Sequence, residues 1–470
     1  MCGRMRGIAV LCGLSAVLSV CLSACTGAGS PSVPPIDDGA GPTRITVRFD
    51  MSMGADAAAR GVTSVVNGVQ LESDPLSMNW DGSVLSGNVR VNNVSTGSTM
   101  TDIKARIFSV NPPDAGIGWN HDTWNYKSAA EGLSSRFVNW AFSGSGGADF
   151  DFIVEVSWTP VPAKVAWESE RDGNPEIHVS NRDGTEIVNV SSNGAQDYDP
   201  SLSADGSKVA WRSYRNGNEE VYVANTDGTG IVNVSNNGAD DYYPSLSADG
   251  SKVAWYGYRS KNWEVYVANT DGTGLVNVSN HSGTDKHPSL SADGSKVAWM
   301  SDRTGNYEVY VANIDGTGLV NVSNDDEGDE YPSLSADGSK VTWESFRDGY
   351  AEVYAANTDG TGLVNVSRHS ASDYYSSLSA DGSKVAWMSY RDGKAEVYVA
   401  NTDGTGGLVN ISNDSASDYY PSLSANGSTV AWHSTRDGDP EVYVAKTNGT
   451  GLANISNDSG TDASPSLQGN

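Results

Sequence analysis

Seven aspartates, Asp197, Asp241, Asp285, Asp329, Asp373, Asp418 and Asp462, recur at intervals of 44 or 45 residues in this chain of 470. A ring of carboxylates has the chemistry for a calcium site or for acid–base catalysis. A second series stands beside it: Arg171, Arg215, Arg259, Arg303, Arg347, Arg391 and Arg436. If each aspartate opens one strand and each arginine follows the next, the two series meet at one end of a hairpin. A charge-assisted pair in every copy then accounts for both. The expected partners are Asp197 with Arg215, Asp241 with Arg259, Asp285 with Arg303, Asp329 with Arg347, Asp373 with Arg391, Asp418 with Arg436 and, across a closure, Asp462 with Arg171.

Directly after the aspartates come Tyr198, Tyr242, Tyr243, Tyr331, Tyr374, Tyr375, Tyr419 and Tyr420, with His287 in the same place in one copy. An aromatic rim of this kind suits a peptide or a sugar. The densest acidic loop, Asn324–Glu330, lacks the spacing of a calcium-binding helix–loop–helix. No Gly-x-Ser-x-Gly elbow, His-Glu-x-x-His or phosphate loop occurs, and the six histidines are scattered. All four cysteines, Cys2, Cys12, Cys21 and Cys25, lie in the first 25 residues. That leaves no disulfide framework, thiolate nucleophile or Cys-based metal site in the body of the chain. The expectation is no catalytic residue, no metal and no cofactor.

The elements that carry these residues are copies of one sentence. Its clearest form is Pro244-Ser-Leu-Ser-Ala-Asp-Gly-Ser-Lys-Val-Ala-Trp255, then Glu264-Val-Tyr-Val-Ala-Asn-Thr-Asp-Gly-Thr-Gly-Leu-Val-Asn-Val-Ser279. It reads as four strands: Pro-Ser-Leu-Ser, Lys-Val-Ala-Trp, Glu-Val-Tyr-Val-Ala and Leu-Val-Asn-Val-Ser. Asp-Gly turns join one to two and three to four, the strongest short hairpin signal. Trp167, Trp211, Trp255, Trp299, Trp343, Trp387 and Trp432 mark the period. A fixed repeat of this size built from short strands signals a β-propeller. The first copy lacks strand one, and Ser464-Pro-Ser-Leu467 supplies a lone strand one at the far end. Seven of each strand type predict seven blades closed by the C-terminal strand, leaving no open edge.

The Pro-Ser-Leu-Ser-Ala-Asp-Gly-Ser-Lys-Val-Ala-Trp unit, followed by Arg-Asp-Gly and Glu-Val-Tyr-Val, resembles the repeat of TolB-type propellers over about 310 residues. The resemblance implies the fold. It also implies a range of roles: TolB is a periplasmic partner protein with six blades, and similar blades stand beside serine peptidases and occur in some lyases.

Residues 1–25 resemble a bacterial lipoprotein signal: Arg4 and Arg6, an apolar run, then Leu22-Ser23-Ala24-Cys25. The resemblance implies a lipid on the Cys25 sulfur, export, and attachment to the cell envelope through that lipid alone. Residues 26–42, rich in Gly, Ser and Pro, read as a tether. Residues 43–160 show alternating apolar runs, for example Ile45, Val47 and Phe49, and are expected to form an immunoglobulin-like β-sandwich. Trp119, Trp124 and Tyr126 stand in its oddest stretch, where packing competes with sugar stacking as their role. Residues 161–470 form the propeller, so the fold class is all-β.

Charge and variation narrow the function. The formal net charge is −28. Residues 161–470 carry 20 Lys and Arg against 44 Asp and Glu, which argues against nucleic acid. The Asp-Gly turns share one face of the ring and are nearly uniform among copies. The two–three and four–one loops share the other face and vary, as a binding surface does. The expected function is an envelope-anchored platform for a protein or glycan ligand. The alternative is a carbohydrate-active enzyme or carbohydrate-binding protein acting at the channel mouth.

Overall fold

The computed structural model describes residues 163–259 and 261–468 in full, and the strand backbone within residues 43–161. The chain divides into two compact units, Met1–Val161 and Pro162–Asn470. In the first, Thr43–Ser52 pairs with Asp149–Val161, which pairs in turn with Thr99–Asn111. A second sheet is built around Val84–Asn93 and Val138–Ser143. Side chains of this unit, and with them the sandwich packing and the roles of Trp119, Trp124 and Tyr126, lie outside the described residues. So do the signal, Cys25 and the tether.

The second unit is a β-propeller of seven four-stranded antiparallel sheets. In blade 2 the strands are Asp197–Leu202, Lys208–Ser213, Glu220–Asn225 and Val232–Asn233, in that order from the axis outward. Blades 3 to 7 repeat this order from strand-one residues Asp241, Asp285, Asp329, Asp373 and Asp418. Blade 1 takes its three outer strands from Lys164–Asn189 and its innermost from Asp462–Leu467. The 45-residue step falls in blade 6, where Gly406 is the extra residue in the three–four turn, at φ 135° with open space around it.

Two strand boundaries differ from the sequence reading. Strand four is only two residues long, a short outer edge that offers little backbone for unwanted pairing. Strand one starts at the aspartate, three residues before the proline. In blade 2 its ladder breaks between Tyr198 and Ser201. The proline therefore sits at an irregularity where no ladder N–H is required, in the innermost strand of the sheet, which is why it is tolerated there.

The core is a set of interfaces between blades. Strands two and three are buried on both faces, because each blade is covered by its two neighbours. At one interface Ala298, Val309, Val311 and Val322 of blade 4 meet Leu334, Val341, Trp343, Tyr354 and Ala356 of blade 5. The closing interface has the same composition: Val165, Trp167 and Leu467 against Ala431, Val442, Val444 and Ile455. Around the axis, each strand-one serine accepts the N–H of the leucine in the next blade at 2.9–3.2 Å. Ser466 to Leu202 is the link that closes this circle.

Removing residues 462–470 would strip blade 1 of its inner strand, expose Lys164–Ser169 as an edge and uncover Trp167. The expected outcome is loss of the single cooperative melting transition together with association in analytical ultracentrifugation. An unchanged monomeric melt would contradict closure by this strand.

Candidate functional site at the channel mouth

Each blade buries one cluster at the entrance of strand one. The strand-one aspartates are fully buried. The Trp indole Nε1–H donates to the aspartate at 2.9–3.2 Å in all seven blades. The arginine Nη2 of the expected pair lies 2.9–3.6 Å from the same carboxylate in every blade, Asp462 with Arg171 included. Six of these guanidinium groups sit 4.4–4.6 Å over the strand-three tyrosine ring, a cation–π contact that shields them further. In blade 1, His178 takes the tyrosine's place and stacks on Trp167. Loop acids share three of the arginines: Asp325 with Arg347, Asp414 with Arg436, and Asp458 with Arg171. Asp325 and Asp329 of the acidic loop are thus engaged by Arg347.

Above this cluster the variable loops are clasped. The first residue of strand three, Glu308 for example, accepts the Ser323 hydroxyl, and Ser323 Oγ accepts the Val309 N–H at 2.9 Å. Glu308 also takes the Asp325 N–H at 3.1 Å. The buried Glu and Ser of this clasp recur in every blade, so the loops that vary are held on a rigid frame.

The axis opens at this face into a cavity of about 390 Å³ lined by strand one of every blade. The third residue of each strand one turns into it: Asp199, Tyr243, His287, Tyr331, Tyr375, Tyr420 and Ser464. All seven have φ between 50° and 55°. A tyrosine in this left-handed region is strained, and such strain persists only where the surroundings over-determine it. The kink also changes side-chain parity. Tyr243, Tyr331, Tyr375 and Tyr420 therefore line the cavity. Tyr198, Tyr242, Tyr374 and Tyr419, one residue earlier, do not. They lie over strand two: Tyr198 against Arg212, Tyr242 against Tyr256 and Trp263, Tyr374 against Tyr390, and Tyr419 against His433.

Five of the seven positions form a continuous aromatic arc. Ring centroids are 4.5 Å apart for Tyr243–His287, 4.4 Å for His287–Tyr331, 5.5 Å for Tyr331–Tyr375 and 4.4 Å for Tyr375–Tyr420. The remaining two, Asp199 and Ser464, form a polar gap. Arg212 Nε holds Asp199 Oδ2 at 2.5 Å, and its Nη1 holds Glu219 at 3.0 Å. Glu168 accepts the Asp199 N–H at 2.8 Å.

Sequence reasoning missed the residue after each Trp: Glu168, Arg212, Tyr256, Met300, Glu344, Met388 and His433. These side chains back the third-position ring, as when Tyr256 packs 5.3 Å from His287 of the next blade. The available signal was the one freely variable position in a segment otherwise close to Val-Ala-Trp-x-Ser, with Thr342 and Gly257 its two other departures. Two of them are buried acids. Burial, then the nearby Asp199, pushes Glu168 up to about 7. Burial pushes Glu344 up to about 8, although it accepts the Tyr375 N–H at 2.6 Å. Burial lowers His287 to about 3 and His433 to about 4, so both imidazoles are neutral near pH 7. Among the described residues no three His, Cys, Asp or Glu side chains gather to hold a metal ion.

Comparison with known proteins follows from this geometry. The family model of the TolB beta propeller domain matches residues 151–252 and 242–382. No curated protein matches the sequence. Among solved structures, a puromycin hydrolase is similar with TM-score 0.51 and 14% identity, over 63% of this chain and 52% of its own. A puromycin-hydrolyzing peptidase of Mycobacterium tuberculosis has TM-score 0.50 and 17% identity, over 62% and 50%. TolB of Acinetobacter baumannii has TM-score 0.44 and 18% identity, over 66% and 67%. The chain spans about half the length of the two hydrolases, and at these identities the likeness concerns the fold alone.

Two predictions follow from the buried acids. Blade 3 has Gly257 where the other blades have serine at the end of strand two. That serine accepts the arginine Nε–H at 2.7–3.0 Å in six blades. Without it Arg259 Nε has no partner among the described residues, and Asp241, through burial, is pushed up to about 6. A Cβ at Gly257 meets Asp241 Oδ1 at 2.0 Å, so the carboxylate must shift to admit it. Gly257→Ser is expected to stabilise the fold by about 1 kcal/mol; a lower melting temperature would show that Asp241 cannot move.

The second concerns pH. A carboxyl whose folded pKa exceeds its unfolded value supports folding while protonated, and that support is lost as pH rises through the folded pKa. With ordinary values of about 4 in the unfolded chain, Asp241 and Asp462 at about 6, Glu168 at about 7 and Glu344 at about 8 place the loss between about pH 4 and pH 8. The melting temperature should fall across that window. Glu344→Gln should raise stability at pH 9 by roughly 2 kcal/mol and leave stability at about pH 4 nearly unchanged.

Proposed function

The chain is a TolB-type β-propeller repeat protein, and we propose that its propeller is a rigid platform that binds a protein ligand at the variable mouth of the channel. The observation that carries this reading is the division of labour around the axis. Constant residues lock every blade, whereas the seven strained third positions vary, presenting four tyrosines, a histidine, an aspartate and a serine. Rigid, strained, variable positions around a cavity of ordinary ligand-site volume are the signature of a pre-organised site. Asp199 is engaged by Arg212, and the strand-entrance aspartates are engaged by arginine and tryptophan, which favours binding over acid–base chemistry.

Carbohydrate recognition at the same mouth is the second reading, favoured by the four tyrosines of the arc. As a further part of the proposal, residues 43–160 act as an immunoglobulin-like spacer or second binding module. Cys25 carries the lipid that anchors the body at the envelope, outside the cytoplasm.

The test is photo-crosslinking in intact cells with a reactive group at position 374, beside the cavity, followed by identification of the captured species. A discrete protein adduct is expected, reduced at least tenfold by Tyr331→Ala combined with Tyr375→Ala and unaffected by Asp359→Ala on the opposite face. Capture that ignores the double variant would refute the mouth as the site. Release of polysaccharide fragments by the purified chain would favour the enzyme alternative. Cys25→Ser should move the protein from the membrane fraction to the soluble fraction.

A further inference from the structure

The mouth is not merely aromatic; it is an aromatic arc closed by a carboxylate. Five rings follow one another around the axis with centroids 4.4–5.5 Å apart and successive planes tilted by 43–65°. Seven positions at this spacing put each ring centroid about 5 Å from the axis, within the ~6 Å reach of a cation–π contact. Rings that turn around an axis enclose a compact group; they do not offer the flat shelf on which a sugar stacks.

The gap in the arc is charged. Asp199 faces the cavity with its side chain 16% exposed. Arg212 takes Oδ2, and Oδ1 has no hydrogen-bond partner among the described residues. Glu168 and Glu219 stand on the same side, so three carboxylates face one guanidinium. Arg212 is already committed to Asp199 and Glu219, and its flat face to Tyr198 and Tyr242. Among the described residues no lysine or arginine lines the cavity itself: Lys286 lies over Trp263 instead, and His287 is neutral. The surrounding 310 residues carry 44 acids against 20 bases, which draws cations toward the mouth.

We propose that the channel mouth binds a compact organic cation, a substituted ammonium group, held by the rings of Tyr243, His287, Tyr331, Tyr375 and Tyr420 and by the carboxylate of Asp199. This rests on the reading of the mouth as a binding site and adds the chemistry of what enters it. The group can belong to a small molecule or to a basic side chain of a protein partner, and the two sources share the same recognition.

The experiment is calorimetric titration of the full chain with choline, with its neutral isostere 3,3-dimethyl-1-butanol, and with a short peptide carrying trimethyllysine. Choline or the peptide should bind at least tenfold more tightly than the neutral isostere, and the tighter of the two identifies the source. Tyr375→Phe, which keeps the ring, should bind within twofold of the parent. Tyr375→Ala and Asp199→Asn should each weaken binding about tenfold, with circular dichroism confirming that both are folded. Equal affinity for choline and the isostere, or preference for a neutral monosaccharide, overturns the proposal. So does the absence of ammonium binding. If that absence accompanies intact crosslinking at position 374 with its dependence on Tyr331 and Tyr375, the platform reading survives and only the cation is refuted.

Discussion

A buried carboxylate needs donors, and the propeller is arranged around that need. Each blade places one aspartate where no water reaches it. Left alone, such a charge costs several kcal/mol. The indole N–H of the blade's tryptophan and the guanidinium of its arginine converge on it. In six of the seven blades the serine hydroxyl at the end of strand two completes the set by orienting the arginine. These donors come from strand two and the loop behind it, so satisfying the aspartate fixes strand one against strand two. It also seats the largest core side chain and aims the two–three loop.

What one blade does internally, the ring repeats between blades. Apolar faces meet at each interface, and serine hydroxyls tie each inner strand to the next all the way round. A closed ring leaves no blade face uncovered and only the short strand-four edges outside. That closure lets seven residues be held in the left-handed region around the axis, where each alone would relax. The mouth is therefore shaped by the whole ring, and its aromatic arc and acidic gap differ from blade to blade without disturbing the frame beneath.

Much of this frame was legible in the chain. The Asp and Arg series recur at constant spacing, and strand order alone brings them to one end of a hairpin. The Trp–Asp hydrogen bond was equally periodic, at 14 residues from Asp197 to Trp211, but periodicity does not say which donor a carboxylate selects. The tyrosines were harder. Tyr242 and Tyr243 are adjacent and chemically identical, yet one packs on Tyr256 and Trp263 while the other lines the cavity. The deciding term is the positive φ of Tyr243, which a residue type with no preference for it cannot announce.

The repeat, the number of blades, the closure by a distant strand and the face that varies are all encoded along the chain. All of these follow from local propensity, turn chemistry and counting, which are written along one dimension. Which side chains meet at the axis is set by the folded ring. Asp199, His287 and Ser464 join four tyrosines there because seven kinked strands converge, and Glu168 and Glu344 matter because neighbouring blades bury them. Convergence and burial are sums over parts of the chain hundreds of residues apart, and no window of sequence contains them.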